Sequence, residues 1–171
     1  MTTNVFENCS IAGALGEIGE RWSLLIIREA MMGSARFEEF HQNLGVARNI
    51  LSDRLSALVR HGVLLRAPSP GNARIHHYRL TRKGQEILPV LAALMHWGDA
   101  WINQGAGAPI VLVDRETREP IRKVLLTAQD GSLLEPADID VLAGPGATDF
   151  MRARLSARAA PRDGKLQISP E

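Results

Sequence analysis

Cysteine is nearly absent. Cys9 stands alone among 171 residues, so no disulfide can close within the chain, and a reducing, cytoplasmic compartment is expected. Aromatic residues make up only 5%, so a core has to be packed from Leu, Ile, Val, Ala and Met. No apolar run approaches the roughly 20 residues of a membrane-spanning helix. The opening MTTNVFENCS has neither the basic nor the apolar segment of a secretion signal. Excess charge is missing as well: 20 Lys and Arg against 19 Asp and Glu leave a net charge of +1. Catalytic signatures are absent too. The histidines, at positions 41, 61, 76, 77 and 96, have no ligand spacing such as HExxH. His76 and His77, adjacent on an expected strand, would point to opposite faces. GSLLEPADID and GAGAP have neither the spacing nor the Lys of a phosphate-cradling loop. No enzyme, metal or cofactor is expected.

What is present is a local concentration of charge. From Arg48 to Lys83 the chain carries Arg48, Arg54, Arg60, Arg66, Arg74, Arg79, Arg82 and Lys83 against the single acid Asp53, while acids cluster on either side. A basic surface on a nearly neutral chain is the electrostatic footprint of a site-specific nucleic-acid binder. Within it, VARNILSDRLSALVRHGVL places Ile50, Leu51, Leu55, Leu58 and Val59 at three- and four-residue steps, the period of an amphipathic helix. The other face carries Arg48, Asn49, Ser52, Asp53, Ser56 and Arg60, and Gly62 ends the helix after two cations that suit its negative pole.

Around that helix the chain reads as helix, turn, helix, wing. CSIAGALGEI and RWSLLIIREAMM form two helices broken at Gly19, the second buried through Trp22, Leu25, Ile26 and Met32. RFEEFHQNL is a third, with Phe37, Phe40 and Leu44 on one face, and Gly45 turns the chain into the fourth, where Ala47 is a poor cap. Strands over 64–67 and 74–80 flank PSPGNA, with Arg74 near the tip. A long helix then runs from Arg82 to about Asn103, bent at Pro89. Ile87, Leu91, Leu94, Gly98 and Trp101 step by four and three along it, the 3.5-residue period of a helix seam. Such a helix could simply fill the chain's own core. Its apolarity favours a homodimer interface, with Met95 on the flank and Cys9 added from the N-terminal helix. After the GAGAP linker, short strands over 110–114, 120–127 and 137–142 and, over 149–160, either a basic helix or a disordered end complete the chain. The expected architecture is mainly α (α+β): a winged helix-turn-helix and dimerisation domain over 1–104, with a small β-rich extension over 105–171.

The residue types assign candidate roles. Arg48, Asn49, Ser52, Asp53 and Ser56 would face base edges in a major groove, because Arg matches guanine and Asn adenine through two parallel hydrogen bonds. Arg54, between the two faces, would hold either a phosphate or a structural carboxylate. Arg74 at the wing would reach phosphate or the minor groove, supported by Arg79 or His77. An effector pocket lined by Trp22, Met95, Trp97 or Trp101 is possible in principle, although aromatics at helical spacing serve equally as core.

CSIAGALGEIGERW, RFEEF, GVARNILSDRLSALVRHGVLLR, YRLTRKG and LPVLAALMHWG, in that order, resemble the HxlR family of winged-helix bacterial transcription regulators, relatives of MarR-type proteins. The resemblance covers about the first hundred residues. It implies a dimer on double-stranded operator DNA near its own or a neighbouring gene, and a response to a small electrophile or oxidant. Cys9 occupies the position of the family's sensing thiol; with no second cysteine, only a Cys9–Cys9 bridge between protomers, a mixed disulfide or an adduct is open to it, and a plain packing role remains the alternative. The chain departs from the family pattern at Ser10, where Pro is common; at Arg21, where Lys is usual; at Ala47, where Ser is usual; and near His76, where Val is expected. The zinc-ribbon cysteines of some longer members are absent, so no metal is assigned. Repression is the expected regulatory sense. The competing reading is a winged-helix protein-interaction module with no operator of its own.

Overall fold

The computed structural model describes residues 8–69, 72–103, 105 and 107–158, with the side chains of Ala73, Arg74 and Arg158 outside that description. The described elements run α1 (Ser10–Ile18), α2 (Arg21–Met31), α3 (Phe37–Leu44), α4 (Arg48–Arg60), β1 (Leu64–Ser69), β2 (Asn72–Leu80), α5 (Arg82–Gln85), α6 (Leu88–Trp101) and α7 (Asp149–Arg158). The order is helix, turn, helix, wing, in a mainly α, α+β chain. It divides into two compact units, Ile11–Val124 and a second made of Met1–Ser10 with Leu125–Glu171.

The core of the first unit lies beneath α4. Leu51, Leu55 and Leu58 have no exposed surface and pack with Ile26 and Ile27 of α2, Phe40 of α3, and Val46, Val63 and Leu64 at the ends of α4. Each Leu buried this way contributes on the order of 1.5–3 kcal/mol. Ile50, expected on that face, is exposed instead, and Val59 only half-buried. Ile50 stands one residue before Leu51, about 100° round the helix, beyond the reach of the α2 contact.

Two latches set the angle of α4. Gly45 takes φ 61°, a left-handed conformation that costs glycine least, and the Nδ1–H of His41 donates to the Val46 carbonyl across it at 2.8 Å. That bond fixes the tautomer of a neutral His41. At the other end Thr81 donates its hydroxyl to the Gly62 carbonyl at 2.6 Å and accepts from the Gly84 amide at 3.2 Å. The end of the wing and the start of α5 are thereby tied to the turn that follows α4.

β1 and β2 are antiparallel from Leu64↔Leu80 to Pro68↔His76 and resume at Ser69↔Asn72, so β2 carries three additional residues, Ala73 to Ile75, at that bulge. Arg36 adds an isolated bridge to His77, and the Tyr78 amide donates to the Ala35 carbonyl at 2.7 Å. The wing is thus pinned to the segment between α2 and α3. Tyr78 completes the join by meeting Phe40 edge to face at 6.2 Å.

The expected single helix from Arg82 to Asn103 is two helices. Pro89 does not bend an interior; it sits in the first turn of α6, where its missing N–H is not needed. Continuing from α5 would have required that N–H to bond the Gln85 carbonyl. Beyond α6, the expected strands over 110–114 and 120–127 meet only at single bridges, Val113↔Pro120 in the first unit and Thr127↔Leu133 in the second. The segment read as a third strand opens instead with a short 3-10 turn at Pro136–Asp138. No helix among the described residues is long and apolar enough to cross a membrane.

Candidate nucleic-acid interface

Burying Leu51, Leu55 and Leu58 turns the opposite side of α4 outward. Arg48, Asn49, Ser52, Asp53 and Ser56 are all exposed there, so the sequence-predicted set is brought together on one helix face. Ala47 supplies no side-chain cap, leaving the first amides of α4 without that partner.

The cations are less free than the sequence suggested. Arg48 donates Nη1 to Glu38 Oε1 at 2.7 Å and Nη2 to Glu38 Oε2 at 2.6 Å, and its guanidinium lies 5.7 Å from the Phe37 ring centre. Hydrogen bonding to Arg48 holds the Glu38 carboxyl below the usual glutamate range, and the same pair raises the Arg48 pKa. Arg54 faces Glu20 at 3.9 Å, Lys83 pairs with Glu17, and Arg82 pairs with Glu86 at 3.0 Å. Acids outside the basic run therefore fold back onto it. Arg82–Glu86 is a local pair four residues apart, whereas only the packing of the helices decides that Arg48 meets Glu38, Arg54 meets Glu20 and Lys83 meets Glu17.

On the wing, His77 accepts from Arg36 Nε at 3.2 Å and His76 meets Arg66 at 3.2 Å, so both rings are engaged. Arg79 is exposed and has no carboxylate partner among the described residues. Arg74 belongs to the bulged part of β2; its side chain lies outside the described residues.

The residues assigned to a dimer seam do not share one environment. Leu91 is buried in the chain's own core and Ile87 packs against it, whereas Leu94 and Trp101 are exposed and Met95 and Gly98 half-exposed. A Leu91 already covered inside its own chain has little surface left for a partner. The exposed apolar stripe consists of Val90, Leu94, Trp97 and Trp101, centred roughly 140° round the helix from Leu91 and Ala92 at 100° per residue. Ile11 and Leu15 of α1 are exposed as well, and Cys9, just before α1, is half-buried and unbridged.

The residues proposed for an effector pocket also separate. Met95 lines a cleft of about 770 Å³ between the end of α2, β2, α6 and residues 110–115. Trp22, Trp97 and Trp101 are not among its walls: Trp22 packs on the core under the Arg21 guanidinium, and the other two are exposed on α6. Among the described residues no three His, Cys, Asp or Glu side chains gather where they could share a metal ion.

Residues 17–106 match the family model described as HxlR-like helix-turn-helix. Rv3095 of Mycobacterium tuberculosis, described as an uncharacterized HTH-type transcriptional regulator, is 37% identical over 141 residues, covering 82% of this chain and 89% of its own. A match of that length must run well beyond residue 106, so it takes in part of the extension. Among solved structures, the candidate transcription factor PA1607 is 38% identical with a TM-score of 0.75, over 80% of this chain and 96% of its own. The candidate transcription factor PA1374 from Pseudomonas aeruginosa is 38% identical with a TM-score of 0.60, over 86% and 100% respectively.

Proposed function

The chain belongs to the HxlR-like helix-turn-helix family of transcriptional regulators, and from that premise we propose that it is a sequence-specific, DNA-binding repressor that works as a homodimer in the cytoplasm. The observation carrying this reading is the outward face of α4, where Asn49, Ser52, Asp53 and Ser56 stand exposed over a fully buried row of leucines. A helix anchored so firmly on one side can enter a major groove without rearranging. Asn49 then reads adenine, and Arg48, once it leaves Glu38, reads guanine. Arg74 and Arg79 of the wing contact phosphate or the minor groove.

In this reading residues 1–104 bind DNA and dimerise, and 105–171 are an appendage. Leu94, Trp97 and the rest of the outer stripe of α6, with Ile11 and Leu15 of α1, pair with a second copy, setting two α4 helices about 34 Å apart on successive turns of duplex. A small-molecule effector or modification of Cys9 would act by changing that spacing.

The test is fluorescence anisotropy on duplex taken from upstream of the chain's own gene, over a salt series, with sedimentation for assembly. Asn49→Ala should weaken operator binding by about 1–3 kcal/mol with the fold intact. Arg74→Ala should weaken all duplexes alike and lower the salt slope by about one. A chain that binds no duplex in a salt-sensitive way, or that stays monomeric at micromolar concentration, refutes the proposal.

A further inference from the structure

The cleft beside α6 has a lining of unusual chemistry. Met31, Leu88, Leu91, Met95, Leu112 and Val113 give it apolar walls, and among the described residues its charged lining is Arg28, Arg79 and Arg115, with no Asp or Glu. Of the acids adjacent in sequence to these residues, Glu29 is buried and pairs with Arg28 while accepting from Asn43, Glu86 pairs with Arg82, Asp114 accepts from the amides of Glu116 and Thr117, and Glu116 is exposed outside the lining. Arg79 and Arg115 have no carboxylate partner among the described residues, and Arg28 Nε is buried without a hydrogen-bond partner.

We propose that this cleft binds a small organic anion with an apolar body, a carboxylate on an aliphatic or arylalkyl chain, and that this anion is the effector of the regulator. The volume falls within the range of ligand pockets for small molecules. A cation would meet the guanidiniums of Arg79 and Arg115, which no carboxylate among the described residues balances. A bare phosphate would leave the methionine and leucine walls unused, and a neutral apolar ligand would leave the guanidiniums unused. A carboxylate with a hydrocarbon tail satisfies both halves of the lining. The consequence for DNA rests on the operator reading above: Arg79 lies on the wing strand, so an anion bound beside it removes positive charge from the DNA-facing side and lowers duplex affinity.

The test uses the full chain without DNA, titrated calorimetrically with octanoate and with 4-phenylbutyrate, each beside its primary alcohol. At least one acid should bind about tenfold more tightly than its alcohol, the worth of a charge-assisted hydrogen bond. Arg115→Gln should remove most of that preference. Arg115 takes no part in the proposed DNA contacts, so this variant should bind duplex normally without ligand yet lose the weakening that the acid causes in the wild type. Acid and alcohol binding alike, or neither binding, overturns the anion site and leaves the operator reading untouched. An acid preference in a chain that binds no duplex keeps the site and sinks the operator reading. An acid that binds without moving duplex affinity overturns its role as effector.

Discussion

Arg48, the first residue of α4, and Glu38 on α3 form a two-bond ion pair, with N–O distances of 2.7 and 2.6 Å. Both side chains are more than half exposed, so water and salt screen the pair and it can open. It nonetheless occupies both of the parallel donors that an arginine would offer a guanine. In the proposed operator contact a duplex would have to displace Glu38 before Arg48 could read a base, and only a site offering two good acceptors in return would compensate that loss. The Glu38 carboxylate would then discriminate against loosely placed phosphates.

Glu38→Gln should therefore tighten binding to random-sequence duplex several-fold at low salt while changing operator affinity less, so that the specificity ratio falls. Anisotropy titrations on the two duplexes measure it. An unchanged ratio would show that the pair opens without consequence.

Glu39 makes a different prediction, in pH. Its Oε2 accepts from the amides of Ala35 and Arg36 at 2.7 and 2.9 Å, and these two bonds hold the carboxyl below the ordinary glutamate range. A pKa lower in the folded than in the unfolded chain contributes stability that is complete above the unfolded value, about pH 4.3, and is lost as pH falls through the folded one. The wild type should lose stability through that acid window. Glu39→Gln, which keeps an acceptor but cannot titrate, should show a shallower acid limb in urea melts repeated from pH 6 down to pH 3. Identical limbs would remove Glu39 as a source of the acid sensitivity.

Glu29 is the one buried acid of α2, accepting from Arg28 Nη2 at 2.8 Å and from Asn43 Nδ2 at 3.2 Å. It joins the end of α2 to α3 across the segment that contains Arg36, the residue bridged to the wing. Glu29→Ala strands a partly buried guanidinium and an amide together, and should cost roughly 2–4 kcal/mol. Denaturant unfolding reads this directly; a loss below 1 kcal/mol would mean that water replaces the carboxylate freely.

Much of this arrangement was legible in the sequence, and its limits are specific. Leu51, Leu55 and Leu58 announced α4 because a helix with one buried side repeats at three and four residues, and Gly45 and Gly62 marked its ends. The same period could not say which neighbour would take each face of α6. Leu91 and Leu94 are only three residues apart, yet the first is buried in the core and the second exposed. Nor could spacing pair Arg48 with Glu38, ten residues away across a turn. The cleft was illegible for the same reason: Arg28, Arg79 and Arg115 are far apart in the chain and meet only through folding.

Gly84 shows a glycine whose role lies in contact and not in backbone freedom. A Cβ there would fall on the Val63 carbonyl oxygen and stand 2.8 Å from Leu80 Cδ2. Its closeness lets α5 sit against the start of β1 while Thr81 caps its amide. Gly84→Ala should destabilise the chain by about 1–3 kcal/mol, as overpacking does, with a thermal melt as the measure. A neutral result would mean that α5 shifts away without loss.

The two leucines of α6 separate the core from the proposed dimer in one comparison. Leu91→Ala opens a cavity at the edge of the core cluster and should cost about 2–5 kcal/mol, lowering the melting temperature while a folded chain still assembles. Leu94 is 49% exposed, so Leu94→Glu removes no core contact and should fold as well as the wild type. If its stripe meets a second copy, the new carboxylate is buried at that contact, and sedimentation should show monomer where the wild type is dimer. Operator affinity should fall with it, because two linked α4 helices hold a palindrome far better than one. Should the Leu94→Glu chain remain dimeric, the outer face of α6 is not where two copies meet, and the exposed Ile11 and Leu15 of α1 are the next residues to substitute.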